Sequence, residues 1–164
     1  MKKFVNFYIV LLVLFIVLGL FGISITNDKE TEDVIEKNVL ENTPGYETML
    51  AISEMTKEQQ LQDAVLDIQV TPEKNNEIVL VKMQSSEFMT ADILLKDSYN
   101  MLVKIANSPQ IAEFTFVWYQ VINSENTEVL TMTFDRAALD QLQAVSYKDL
   151  ATIATVFEQH SELK

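Results

Sequence analysis

Ala112-Glu113-Phe114-Thr115-Phe116-Val117-Trp118-Tyr119-Gln120-Val121-Ile122 is the stretch on which the reading of the fold turns. In an extended strand Phe114, Phe116, Trp118 and Ile122 fall on one face and Thr115, Val117, Tyr119 and Val121 on the other. A strand apolar on both faces belongs in the middle of a sheet or beneath two layers. Asn123-Ser124-Glu125-Asn126 then reads as a polar hairpin loop, and Leu130, Met132 and Phe134 give the return strand its buried face.

Working outward, the pattern switches period. Upstream, Thr90 is placed as a helix N-cap with Asp92 in the first turn. Ala91, Leu94, Leu95, Ser98, Met101, Leu102 and Ile105 follow at helical spacing, until Asn107-Ser108-Pro109 ends the helix. Before it, Leu66, Ile68 and Val70 alternate with Asp67 and Gln69, residues 71–76 form a turn around Pro72, and residues 78–83 return as a strand. Downstream, Asp135 caps a helical turn holding Ala137, Ala138, Leu139 and Leu142. Ser146 caps a final helix, with Asp149 at its third position and Leu150, Ile153, Ala154 and Phe157 on one face. The order ββαββαα predicts an α+β fold: a small antiparallel sheet with helices packed on one side, formed by residues 61–164.

Residues 28–60 are acidic, hold only scattered apolar side chains, and contain the break Thr43-Pro44-Gly45. They read as a stalk, with Thr31 capping a short helix and a second short turn around Tyr46, Met49, Leu50 and Ile52. Ahead of it, residues 1–27 read as a transmembrane anchor. No charge occurs between Lys3 and Asp28, and residues 7–23 are apolar or glycine apart from Tyr8. About 22 residues in a helix span about 33 Å, enough for a hydrocarbon core of about 30 Å. Lys2 and Lys3 precede the run, whereas Asp28, Glu30, Glu32 and Asp33 follow it. That asymmetry predicts a cytoplasmic amino terminus, with residues 28–164 extracytoplasmic and membrane contact through residues 4–27. The alternative is a cleaved secretory signal, but the run exceeds an ordinary h-region of about 7–15 residues and no A-x-A pattern follows it.

Charge narrows the partners. The whole chain carries a net charge of -12, and setting Lys2 and Lys3 aside leaves ten basic against twenty-four acidic residues in 28–164. Such a domain is repelled by nucleic acid and by anionic surfaces, and attracts cationic partners. With no cysteine the chain makes no disulfide and carries no lipidated cysteine, so its fold rests on its own core.

Chemistry-bearing motifs are scarce. His160 is the only histidine, four residues from the end of the sequence, a poor place to hold a catalytic base. Cysteine or multi-histidine metal sites are ruled out by composition, and no EF-hand-type loop occurs. Of the three glycines, Gly19, Gly22 and Gly45, none belongs to a phosphate-binding loop. Glu125 and Glu128 are the most exposed carboxylate pair, yet nothing apolar beside them would raise a pKa for glycan cleavage. The expectation is a non-catalytic domain without cofactor or metal. The row Phe114, Phe116 and Trp118 reads first as core. If it faces outward, Phe116, Trp118 and Tyr119, with Glu125 and Glu128, are the residues a partner would meet.

Phe116-Val117-Trp118-Tyr119, a polar turn, and Val129-Leu130-Thr131-Met132-Thr133-Phe134, followed by a short helix and the tail from Ala154 to His160, is similar to a pattern in small Gram-positive exported or membrane-anchored domains of uncharacterised function. The likeness would cover residues 88–162 and departs from that pattern in having no glycine near Asn126. It implies an extracytoplasmic α+β module on an anchor or lipid tail and brings no activity. The functional expectation is a single-pass, membrane-anchored domain that binds another envelope or cell-surface protein. A ligand- or cation-sensing domain is the alternative, weakened because only Met1, Lys2 and Lys3 would remain on the cytoplasmic side.

Overall fold

The computed structural model describes residues 43–164. The predicted anchor and the stalk before Thr43 lie outside the described residues, within which no helix is long and apolar enough to cross a membrane.

Among the described residues the first element is a helix in the segment expected to form the stalk. Helix α1, Tyr46–Glu58, starts where Gly45 turns the chain at φ 83°. It packs Ile52 into the core, with Met55 partly buried against it. The folded unit therefore starts ahead of Leu61, the boundary expected from sequence. Hydrophobic periodicity is nearly silent here because two of the three buried positions of α1 are Thr48 and Thr56. Both hydroxyls are satisfied, Thr48 donating to the Glu77 carboxylate and Thr56 to the carbonyl of Ser53. A buried threonine so paired carries little desolvation penalty.

A 3-10 turn, Gln62–Ala64, leads into strand β1, Val65–Glu73, which pairs antiparallel with β2, Asn76–Gln84. Helix α2, Ala91–Ile105, crosses the sheet and delivers β3, Ile111–Ile122, parallel to β2. Strand β4, Glu125–Asp135, returns antiparallel beside β3. Then come α3, Arg136–Gln141, two 3-10 turns, the single-turn helix α4, Leu150–Ile153, and β5, Val156–Gln159, antiparallel to β4. The sheet is five-stranded and mixed, in the order β1-β2-β3-β4-β5.

Two expectations are corrected here. The sheet is not purely antiparallel, since β2 and β3 are joined by a helical crossover, the connection that parallel neighbours require. The last predicted helix stops at Ile153 and its remainder becomes β5. Thr152, Ile153, Thr155 and Val156 are β-branched, which weakens helix continuation and suits a strand beside β4. The two side-chain caps placed downstream of β4 do form. Asp135 accepts from the Ala138 N–H at 2.8 Å, and the Asp149 carboxylate accepts from both the N–H and the hydroxyl of Ser146.

The core lies on one face of the sheet. Val79, Val81 and Met83 of β2, Phe114, Phe116 and Trp118 of β3, and Leu130, Met132 and Phe134 of β4 join one cluster with Leu94, Met101, Leu102 and Ile105 of α2 and Leu139 of α3. Phe114 and Phe116 meet at 4.8 Å between ring centroids, tilted by 59°. The only arginine, Arg136, fastens the end of α2 to the start of β3. Its guanidinium donates to the carbonyls of Ala106, Ser108 and Ile111 and pairs with Asp140. The other face of the sheet is half-buried, with the hydroxyls of Thr115 and Thr133 3.0 Å apart across β3 and β4.

Candidate functional site

Of the residues singled out from sequence, Tyr119, Glu125 and Glu128 gather at one end of the sheet, and the register explains why. Gln84, the last residue of β2, lies opposite Tyr119, Tyr119 lies opposite Glu128, and Ile122 opposite Glu125. Val65, the first residue of β1, is opposite Met83. The end of β2, the start of β1 and the β3–β4 hairpin thus share one edge of the fold. Chain entry is at the other end, where Gly45 abuts Val70 and Thr48 bonds Glu77.

The hairpin turn is tighter than the four-residue loop expected. Only Asn123 and Ser124 lie between the strands, with φ of 51° and 69°. Two successive positive φ values are what a type I′ turn demands, and they match the twist of the flanking strands. Asparagine adopts such values readily, and serine does so under strain.

Phe116 and Trp118 are removed from any contact surface. Both are completely buried, and the indole N–H of Trp118 donates to the hydroxyl of Ser98, itself buried in α2, at 2.8 Å. Tyr119 points to the opposite face and is half-buried. Glu125 and Glu128 are exposed. Being three apart on one strand, they leave it on opposite faces, so they do not converge as a catalytic pair. Glu128 accepts a hydrogen bond from the Thr131 hydroxyl. His160 follows β5, its N–H donating to the Val129 carbonyl and its Nδ1 accepting from the Glu162 N–H at 3.3 Å. Among the described residues no group of three or more His, Cys, Asp or Glu side chains comes together as a metal site.

A further residue stands out at this end of the fold, outside every motif of the sequence. Phe88 is 82% exposed, the most exposed large apolar side chain among those described, on the loop between β2 and α2. That loop is held at both shoulders. Ser85 donates its N–H and its hydroxyl to the Tyr119 carbonyl at 2.7 and 3.1 Å. The buried amide of Gln120 donates to the carbonyls of Ser86 at 2.6 Å and Met89 at 3.2 Å. Beneath the loop the end of the chain folds back, burying Leu163 and bringing the Lys164 carbonyl to the Ala91 N–H at 2.6 Å. An open cavity of about 230 Å³ lies between them, lined by Phe88, Gln120, Glu162 and Lys164 among others. Leu66, at a bulge in β1, and Val121, on β3, are each 51% exposed at the same end of the sheet. A lone aromatic within Ser85-Ser86-Glu87-Phe88, matching neither the strand period before it nor the helix period after it, was the available signal.

No protein family, curated protein or solved structure matches this chain.

Proposed function

We propose that this chain is a single-pass membrane protein that displays a non-catalytic, acidic α+β domain outside the cell and docks it on another envelope or cell-surface protein. The carrying observation is Phe88, which faces water while its loop is fixed by hydrogen bonds from Ser85 and Gln120. An exposed aromatic on a rigid loop loses little conformational freedom on binding, and aromatic anchors of this kind concentrate binding energy. The edges of the sheet are less suited to the task. Strand β1 carries a bulge at Leu66 and Pro72, devices that blunt strand addition, and β5 has only four residues. Anchoring rests on the charge-free run before Asp28 and the flanking lysines.

The test is chemical crosslinking of the full chain in intact native cells, with mass spectrometry of the species trapped. A reproducible envelope protein supports docking, and only self-crosslinks, or none, reject it. Topology is testable separately because the chain has no cysteine. Phe88→Cys should react with a membrane-impermeant maleimide on intact cells, and labelling only after lysis would reject an extracytoplasmic domain.

A further inference from the structure

The end of the sheet that carries Phe88 also carries unbalanced charge. Glu87 adjoins Phe88, Glu162 lines the same cavity, and Glu125 and Glu128 stand on the hairpin. Among the described residues none of the four makes an ion pair; the two ion pairs found there, Lys104–Glu58 and Arg136–Asp140, lie elsewhere. Lys164 is the cation beside the cavity, and Lys82 is matched across the strands by Asp67. Apolar side chains at an end of the sheet that carries uncompensated glutamates on both of its faces repel an anionic lipid surface. They equally repel a second copy of themselves, since a two-fold contact sets each patch against its own kind.

Resting on the docking reading above, we infer that the occupant of this end is a protein surface in which an apolar pocket for Phe88 is rimmed by lysine or arginine side chains. The pocket supplies holding energy by desolvating the ring, and the basic rim supplies encounter rate and choice of partner. Glu87, Glu125 and Glu128 are the residues that read the rim.

The experiment places the photocrosslinker p-benzoylphenylalanine at position 88 of the full chain in native cells. Position 93 serves as the control, because Ile93 is an exposed apolar residue on the outer side of α2. The expected result is a discrete protein adduct from position 88 and none from 93, mapped by mass spectrometry to a partner peptide containing lysine or arginine. Combining Glu87→Gln, Glu125→Gln and Glu128→Gln should lower the adduct about tenfold, the summed effect of three rim charges. Unaltered Trp118 fluorescence confirms that the triple variant is folded. An adduct insensitive to the glutamine changes, one with the mass of two copies of this chain, or one with lipid overturns the inference. A partner captured by general crosslinking while position 88 stays silent overturns it and leaves the docking reading standing, whereas no partner by either route removes both.

Discussion

Replacing Ser98 by alanine tests whether the tryptophan belongs to the core or to a contact surface. Ser98 and Trp118 are both inaccessible to solvent, and the indole N–H has the Ser98 hydroxyl as its partner at 2.8 Å. In Ser98→Ala the donor stays buried and dry, at a cost of about 1–3 kcal/mol. Trp118→Phe removes the donor together with part of the ring. The serine hydroxyl left behind can turn to a carbonyl of its own helix, so little is stranded on that side. In the Trp118→Phe background the further change Ser98→Ala should therefore cost about 0.5 kcal/mol or less, a coupling of at least about 0.5 kcal/mol across the cycle. Urea unfolding followed by far-UV circular dichroism measures all four chains without relying on the tryptophan. In thermal unfolding, 1 kcal/mol corresponds to about 3–6 °C for a unit of this size. The indole of the unaltered chain, the only tryptophan present, should emit at short wavelength and resist acrylamide quenching. A Ser98→Ala cost below about 0.5 kcal/mol, or an equal cost in both backgrounds, would refute the buried bond.

Three further outcomes follow from individual residues. A chain beginning at Thr43 should unfold cooperatively, whereas one beginning at Leu61 should lose about 3 kcal/mol or more, since it strips Ile52 and Met55 from the core; equal urea midpoints would restore the later boundary. Ser124→Gly should raise stability by about 0.5–1 kcal/mol by relieving a left-handed residue at φ 69°, and a loss measured by urea unfolding would contradict the turn. The Asp97 carboxyl titrates above the usual aspartate range because burial disfavours its charged form, a push that neighbouring Lys96 only partly offsets. A carboxyl raised in the folded state destabilises the fold once ionised, so Asp97→Asn should be more stable than the parent at neutral pH. That advantage should fade as pH falls through the folded-state value toward that of an ordinary aspartate, and a pH-independent difference would refute the cause.

What could be read from the sequence was whatever announces itself by period or by cap. The two-faced apolar strand became the centre of the sheet, and α2 runs between the residues named for it, Thr90 and Asn107. Asp135 and Ser146 begin their turns as their chemistry predicts. What could not be read depends on tertiary partners. Helix α1 hides two threonines whose hydroxyls are satisfied within the fold, one of them by Glu77 of β2. The segment after Ile153 has the spacing of a helix and becomes a strand because the outer edge of β4 offers ladder bonds over Leu130 to Thr133. Of the five residues proposed as a binding surface, Phe116 and Trp118 are core, while Tyr119, Glu125 and Glu128 do reach the end of the sheet where Phe88 lies.

The misread topology bears directly on the site. With β2 and β3 antiparallel, the end of β2 would adjoin the start of β3. The loop after β2 would then lie at the opposite end of the sheet from the β3–β4 turn. Because α2 instead carries the chain back across the sheet, β2 and β3 run the same way, and Gln84 and Tyr119 finish side by side. That adjacency lets Ser85 and Gln120 pin the loop, sets Phe88 outward, and brings Glu87 to the end of the sheet that bears Glu125 and Glu128. Each local signal concerns a few neighbouring residues, whereas the direction of β3 depends on whether a 15-residue helix spans the sheet or folds back along one edge. Both connections suit the same apolar pattern in α2, so the pattern predicts the helix and leaves its path open. The candidate surface is thus a product of chain path, and it comes into view only once β2 and β3 are known to be parallel.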